Sequence, residues 1–199
     1  MAVRTSTIVA TVVAVAIGYL VGSIPVAVLV GRHRRLDPRA VGDRNPGWWN
    51  MRGQLGTWGA APVFVGDAAK GLLGAAVGVV LAPGGAWGVG YAAVAAAMVG
   101  HAWPVFAGFR GGRSVLAFAG GMCVLAPPPA LIAVAVFAAV SLAGRTALGA
   151  RLGVFGFPFL QLVLDSPHRT AATGALMSII GLRFALAARH RSWPDADQS

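Results

Sequence analysis

Apolar residues dominate this chain in seven long runs, and short polar or Pro/Gly-rich segments separate them. The runs cover residues 7–31, 55–82, 86–107, 115–126, 127–143, 152–164 and 171–188. The fourth and fifth runs are contiguous, but three consecutive prolines at 127–129 cannot continue a helix, so we divide them there. A helix needs about 20 apolar residues to cross a bilayer, with shorter ones tolerated when packed in protein. The pattern predicts an all-α, polytopic integral membrane protein with about seven transmembrane helices.

The positive charges fall on alternate connections between these runs. Seven helices place Arg4 and Arg169 on one side of the membrane, and twelve arginines on the other. Those twelve lie in segments 32–54, 108–114 and 144–151 and in the segment after residue 188. Because arginine and lysine are enriched in cytoplasmic loops, we expect an N-terminus outside the cell and a cytoplasmic C-terminus.

Composition excludes the soluble classes. The chain has 199 residues, of which 57% are hydrophobic and only 11% are charged, whereas soluble domains carry about 25% charged residues. We therefore expect one transmembrane domain over residues 1–192 and a polar tail over 193–199. The net charge of +10 follows from membrane topology, so no nucleic-acid partner is expected. The single cysteine, Cys123, allows no disulfide within the chain and no cysteine-based metal site.

Two cytoplasmic segments carry residues suited to phosphate. One is the stretch 41–52, and the other is Gly111-Gly112-Arg113-Ser114, which opens a helix. Glycine lets backbone N–H groups approach an anion, and an arginine adds a fork of donors. An arginine that anchors a tight turn is the alternative interpretation.

Ionisable residues also lie within the apolar runs, where they are costly and often functional. Asp67 and Lys70 are three residues apart, so they share a helix face and can pair, either for function or for structure alone. His101 can be a packed residue or a base. Arg183 needs a partner, and Asp67 is the only acid well inside a run. The sequence holds neither a G-x-S-x-G nor an H-E-x-x-H motif.

Four motifs occur in an order and spacing typical of one family. They are GYLVGSIP from residue 18, GDRNPGWWN from residue 42, DAAKG from residue 67 and GHAWPVFAGFRGGR from residue 100. With them the chain resembles the bacterial acyl-phosphate:glycerol-3-phosphate acyltransferases, as a divergent member. The resemblance extends over nearly the whole chain, and it implies the same seven-helix topology in a bacterial plasma membrane.

The resemblance implies an acyl transfer from acyl phosphate to the 1-hydroxyl of glycerol 3-phosphate, which yields lysophosphatidic acid for phospholipid synthesis. It implies no metal and no cofactor. Membrane lipids and other enzymes of phospholipid synthesis are the implied partners. In the mechanism proposed for the family the donor phosphate itself accepts the hydroxyl proton, so no protein nucleophile is needed.

Site residues are carried over from the motifs by position. The resemblance implies catalytic roles for Arg113, Asp43, Arg52 and His190. It implies substrate binding by Ser23, Arg44, Asn45, Gly47, Asn50, Lys70, His101, Gly111 and Gly112.

The motifs depart from the family pattern at several of these positions. Asp43 stands where the family has serine, Gly53 where it has arginine and Arg113 where it has lysine. An aspartate beside a phosphate needs a cation, and Arg44 and Arg52 are the expected ones because they are nearest in sequence. The departures leave three hypotheses: an acyltransferase, a non-catalytic paralogue that binds lipid or phosphate, and a small transporter.

Overall fold

The structure is a computed structural model that describes residues 2–191, with side chains for residues 4–189. The polar tail lies outside the described residues. Over the described part the chain forms eight α-helices and no strand, which confirms the all-α prediction. The helices are α1 (Ala2–Gly22), α2 (Val26–His33), α3 (Trp48–Leu81), α4 (Trp87–Ala102), α5 (Val115–Leu125), α6 (Pro127–Leu142), α7 (Thr146–Leu164) and α8 (Pro167–Arg191).

Each predicted apolar run coincides with helical structure. Among the described residues five segments are long and apolar enough to cross a membrane: Arg4–His33, Trp48–Leu81, Trp87–Ala107, Thr146–Leu164 and Pro167–Arg189. Helices α5 and α6 are apolar but shorter, with 11 and 16 residues. Seven crossings and the orientation of the termini stay predictions.

Several predicted helix ends are wrong. The first run is two helices, because Pro25, which lacks an N–H group, lies at the break between α1 and α2. Helix α3 begins at Trp48 inside the segment predicted to be a loop, and Gly56 interrupts it with φ 72° and ψ 175°. Helix α7 begins at Thr146 and not at residue 152, where the apolar run begins. Arg151 is polar but lies on an exposed face of this helix, where a polar residue does not end it.

The bundle centre is packed through small residues, chiefly among α1, α3, α4 and α5. A methyl group at Gly71 of α3 would overlap the Ala117 carbonyl of α5, so only glycine allows these two backbones to approach so closely. Met98, Phe118 and Met122 fill the core on the other side of α4 and α5. The antiparallel pair α6 and α7 packs against this core through an edge-to-face contact of Phe157 with Phe118.

This packing brings two connections and one helix end together. Segment 34–47 joins α2 to α3, and segment 103–114 joins α4 to α5. An ion pair between Asp43 and Arg113 links the two segments. The C-terminal part of α8 reaches the second segment through hydrogen bonds from Arg183.

Candidate active site

Three ionisable side chains form a buried cluster beneath these connections. The Nζ of Lys70 lies 2.7 Å from Oδ1 of Asp67 and 3.2 Å from Nδ1 of His101. The same Asp67 oxygen lies 3.5 Å from Nδ1 of His101. Helical spacing on α3 places Asp67 and Lys70 on one face, as predicted, and the last turn of α4 supplies His101. All three are at least nine-tenths buried, so each charge is compensated by a neighbour rather than by water.

The connection 103–114, which we call the glycine loop after Gly111 and Gly112, lies directly on His101. The N–H of Gly112 donates to the His101 carbonyl at 3.0 Å, and the N–H of Gly111 donates to the Ala102 carbonyl at 3.2 Å. A methyl group at Gly112 would overlap the imidazole of His101. The end of α4 already accepts both N–H groups in this structure, and substrate binding by Gly111 and Gly112 stays a prediction. The glycines allow the close approach that places Arg113.

Arg113 joins the two connecting segments. Its Nη1 lies 2.9 Å from Oδ2 of Asp43, and its guanidinium lies 4.8 Å from the centre of the Phe184 ring. Its Nε is buried, and within the described part of the chain it has no hydrogen-bond partner. Nη1 is held on one side of the planar guanidinium, so the edge formed by Nε and Nη2 is the side on which an anion can be accepted.

The predicted neighbours of Asp43 do not neutralise it. Arg44 is exposed in a left-handed conformation, with φ 58°. Arg52 lies 5.3 Å from the centre of the Trp48 ring, and its Nε donates to Thr57 at 3.2 Å. A cation that does pair with Asp43 is Arg113, which comes from the other connection.

The other acid of the first connection is also paired. Oδ1 of Asp37 lies 2.9 Å from Nε of Arg39. Hydrogen bonds from the side chain and the backbone of Arg39 lower the pKa of Asp37. Both acids of segment 34–47 therefore have an arginine partner, so neither adds an uncompensated negative charge beside the site.

Asn50, Asn45 and Gly47 shape the first connection. The buried amide of Asn50 donates from Nδ2 to the carbonyls of Pro38 at 2.8 Å, Val41 at 3.0 Å and Asn45 at 3.1 Å. Gly47 is the N-cap of α3, and the N–H of Asn45 donates to Oδ1 of Asp43 at 3.2 Å. These contacts hold the loop that presents Asp43, so this asparagine amide is committed to backbone rather than to substrate.

Arg183 also has a partner other than the predicted one. Asp67 is bound to Lys70 and His101, whereas Arg183 donates from Nη2 to the Gly111 carbonyl at 2.7 Å and from Nε to the Gly112 carbonyl at 3.0 Å. Its guanidinium lies 5.1 Å from the centre of the Trp103 ring. An arginine inside an apolar run was the signal in the sequence, but spacing alone could not indicate two backbone carbonyls as its acceptors.

A narrow cleft lies beside the buried cluster, and its enclosed volume of about 10 Å³ has room for about one water molecule. Polar or glycine positions line one part of it: Asp67, Lys70, His101, Arg110, Gly111 and Gly112. Apolar residues from 24 to 28 line another part. Ser23 is fully buried next to them, and its Oγ has no hydrogen-bond partner among the described residues. The lining thus has one polar and one apolar side, which is the chemistry that an amphipathic molecule with an anionic group requires, although the cleft must widen to admit one.

The remaining predicted residue is His190. It belongs to the backbone of α8, but its side chain lies outside the described residues. Among the described side chains of α8, Arg183 reaches the glycine loop and Phe184 contacts Arg113, and both lie earlier in the helix. Phe184 and Trp103 are site neighbours that the sequence analysis missed, because aromatic residues in apolar runs carry no distinguishing signal.

Comparison with known proteins gives consistent matches across the chain. The glycerol-3-phosphate acyltransferase family model matches residues 12–195. The glycerol-3-phosphate acyltransferase of Rubrobacter xylanophilus is 40% identical over 161 residues, 78% of each chain. That of Neisseria gonorrhoeae is 35% identical over 183 residues, 90% of this chain and 89% of its own.

Solved structures agree with the sequence matches. The crystal structure of PlsY, an integral membrane glycerol 3-phosphate acyltransferase, in its glycerol 3-phosphate form matches with a TM-score of 0.77 at 26% identity, covering 90% of each chain. The lysophosphatidic acid form matches with a TM-score of 0.73 at 25% identity, covering 87% of each. The likeness in sequence and the likeness in fold both extend over most of the chain, and with its membrane-length helices they make it a multi-pass membrane protein. The chain belongs to the glycerol-3-phosphate acyltransferase family.

Proposed function

We propose that this protein transfers a fatty acyl group from acyl phosphate to the 1-hydroxyl of glycerol 3-phosphate. Family membership supports the reaction class, and the observation that carries it to this chain is the setting of Arg113. Its guanidinium is fixed by Asp43 and Phe184, and its buried Nε has no acceptor among the described residues. A phosphate oxygen supplies the missing acceptor, because a charge-assisted hydrogen bond to an anion is the contact that a guanidinium edge favours.

In the proposed reaction every bond that forms or breaks belongs to the two substrates. The 1-hydroxyl oxygen of glycerol 3-phosphate attacks the acyl carbonyl carbon and forms the new ester bond. The bond from that carbon to the phosphate oxygen breaks, and the leaving phosphate carries away the hydroxyl proton. The products are lysophosphatidic acid and inorganic phosphate. The protein contributes by positioning the two substrates and compensating their negative charge.

Each part of the site has a role in this proposal. Arg113 binds a substrate phosphate, and Asp43 holds the opposite side of its guanidinium. Lys70 and His101 form the polar wall of the cleft, and the apolar positions 24–28 accept part of the acyl chain. Residues 1–192 act as a single domain, membrane lipids surround it, and an enzyme of phospholipid synthesis that makes acyl phosphate is the implied supplier of the donor.

One observation favours a second candidate function. The Asp43 carboxylate pairs with Arg113, the cation that the substrate phosphate is proposed to bind. A carboxylate near a phosphate repels it unless its charge is compensated. A non-catalytic phosphate or lipid binder tolerates such a pair more readily than an enzyme that must bind and release an anion in every cycle.

Purified protein in lipid nanodiscs separates the two functions. We expect inorganic phosphate and lysophosphatidic acid to appear in equal amounts when acyl phosphate and glycerol 3-phosphate are both present, and neither product in excess of background when glycerol 3-phosphate is omitted. Acyl-CoA as donor gives no product. A folded protein that binds glycerol 3-phosphate and forms no lysophosphatidic acid refutes the enzyme and supports the binder.

A further inference from the structure

Arg183 of α8 binds the glycine loop on the side opposite to α4. Its planar guanidinium donates to two consecutive carbonyls, at 2.7 Å to Gly111 and 3.0 Å to Gly112. The N–H groups of the same two residues donate to carbonyls at the end of α4. The peptide unit between Gly111 and Gly112 is therefore held at both of its polar groups, its N–H by α4 and its C=O by α8.

The loop requires such support because its backbone is unusual. Phe109 and Ser114 flank the glycines with φ 59° and 63°, in the left-handed region that non-glycine residues disfavour. Residues in such conformations persist only where surrounding contacts hold them. The Ser114 hydroxyl donates to the Met98 carbonyl at 2.7 Å, which fixes one end of the loop. Arg183 fixes the middle of it.

The same turn of α8 also touches Arg113. Phe184, the next residue after Arg183, carries the Arg113 guanidinium on its ring at 4.8 Å. Arg183 itself lies over Trp103, which begins the loop. One helix turn thus sets both the backbone that precedes Arg113 and the surface on which its side chain rests.

We propose that Arg183 is a positioning residue: it holds the Gly111–Gly112 backbone so that the Arg113 guanidinium faces the substrate phosphate. The proposal rests on the proposed function for its kinetic consequence, but its structural consequence is independent of catalysis. The geometry of the guanidinium fork matters here, beyond its positive charge, because an ammonium group cannot donate in one plane to two neighbouring carbonyls as a guanidinium does.

The structural consequence is tested by hydrogen exchange of the loop amides in Arg183→Met. We expect the Gly111 and Gly112 amides to exchange about tenfold faster or more than in the parent, whereas amides in the first half of α4 keep their protection. The matched control is Arg169→Met, which removes an arginine near the other end of α8 that pairs with Asp165. Unchanged exchange at Gly111 and Gly112 overturns the proposal, and faster exchange throughout the bundle assigns Arg183 a general structural role instead.

The kinetic consequence is tested by a double-mutant cycle with Arg113→Ala. We expect Arg183→Met to raise the KM for glycerol 3-phosphate about 10-fold, the lower end of what a lost charge-assisted contact costs. If Arg183 acts through Arg113, the double variant behaves like Arg113→Ala alone, within about twofold. Effects that multiply contradict the proposal.

Arg183→Lys separates geometry from charge. It keeps the positive charge but loses the fork, so we expect a KM for glycerol 3-phosphate between those of the parent and Arg183→Met. A lysine variant equal to the parent in both KM and loop exchange overturns the role of the fork. A parent that neither binds nor acylates glycerol 3-phosphate refutes the proposed function, and loop exchange then decides the positioning role by itself.

Discussion

Two buried polar clusters lie in the same helix bundle, and they differ in almost every other respect. The charged cluster is Asp67, Lys70 and His101, which joins α3 to α4. The neutral cluster is Tyr91, Gln161 and Thr173, which joins α4, α7 and α8. In the neutral cluster Gln161 donates to the Tyr91 hydroxyl at 2.8 Å and accepts from the Thr173 hydroxyl at 2.6 Å. Gln161 and Thr173 are both fully buried.

The difference lies in what surrounds each cluster. The neutral cluster contacts the core side chain of Met122 and, 3.4 Å from Nε2 of Gln161, the carboxylate of Asp165, which Arg169 compensates. Its hydrogen bonds serve to fasten three helices. The charged cluster lines a cleft, supports a loop with left-handed residues and lies below an arginine whose Nε lacks an acceptor in the described part of the chain. A polar group inside the membrane is therefore a weak sign of function by itself. Charge, a cleft and a strained loop together are a strong one.

The largest expected effect is on stability, at the charged cluster. Lys70→Met leaves the buried Asp67 carboxylate with His101 alone, so we expect a loss of about 3–5 kcal/mol in the free energy of unfolding. Titration with denaturing detergent measures it. Lys70→Arg is the matched control, because it keeps a cation beside Asp67. A methionine variant as stable as the parent would show that the ion pair is dispensable.

The next effect is on catalysis, at the loop above that cluster. Arg113→Ala removes a charge-assisted contact to phosphate worth about 1.5–3 kcal/mol, so kcat/KM for glycerol 3-phosphate should fall by about 10- to 150-fold. Arg169→Ala, at the far end of α8, should leave it unchanged. Full activity in Arg113→Ala would refute the phosphate role.

A substitution in the neutral cluster should lower the stability of the protein without changing its activity. Among the described residues, Gln161→Leu leaves the Tyr91 and Thr173 hydroxyls with each other at 3.5 Å and with the weak acceptor Sδ of Met122, at a cost of about 1–3 kcal/mol. We expect the KM for glycerol 3-phosphate to stay at the parent value. A raised KM would mean that the two clusters are coupled, and Thr173→Val in the same assay would locate the coupling.

The smallest effect is expected at Asp43. Restoring the family residues with Asp43→Ser and Gly53→Arg together should raise glycerol 3-phosphate acylation, because losing the carboxylate's repulsion of the substrate phosphate outweighs losing the contact that holds Arg113. Asp43 is already compensated by Arg113, so we expect a gain below about tenfold, less than the relief of an unpaired carboxylate would give. Asp43→Ser alone serves as the control in the same acylation assay. Lost activity in the double variant would instead indicate a site rebuilt around Asp43.

The sequence predicted the contacts that helical geometry determines. Asp67 and Lys70 pair as their spacing requires, and each apolar run coincides with helical structure. It failed where contacts depend on how separate segments pack. The partner of Asp43 was expected nearby in sequence and lies 70 residues away at Arg113. Arg183 was expected to bind an acid and binds backbone carbonyls, which every residue possesses and which no sequence pattern distinguishes.

Lysophosphatidic acid formation that depends on glycerol 3-phosphate is the measurement that decides whether Arg113 binds a substrate phosphate for acyl transfer. Parent, Arg113→Ala and Gln161→Leu are compared in nanodiscs with acyl phosphate as donor. We expect product from the parent and from Gln161→Leu at similar KM for glycerol 3-phosphate, and kcat/KM lower by about 10-fold or more in Arg113→Ala. Equal rates in parent and Arg113→Ala, or a folded parent that forms no lysophosphatidic acid, would contradict this expectation.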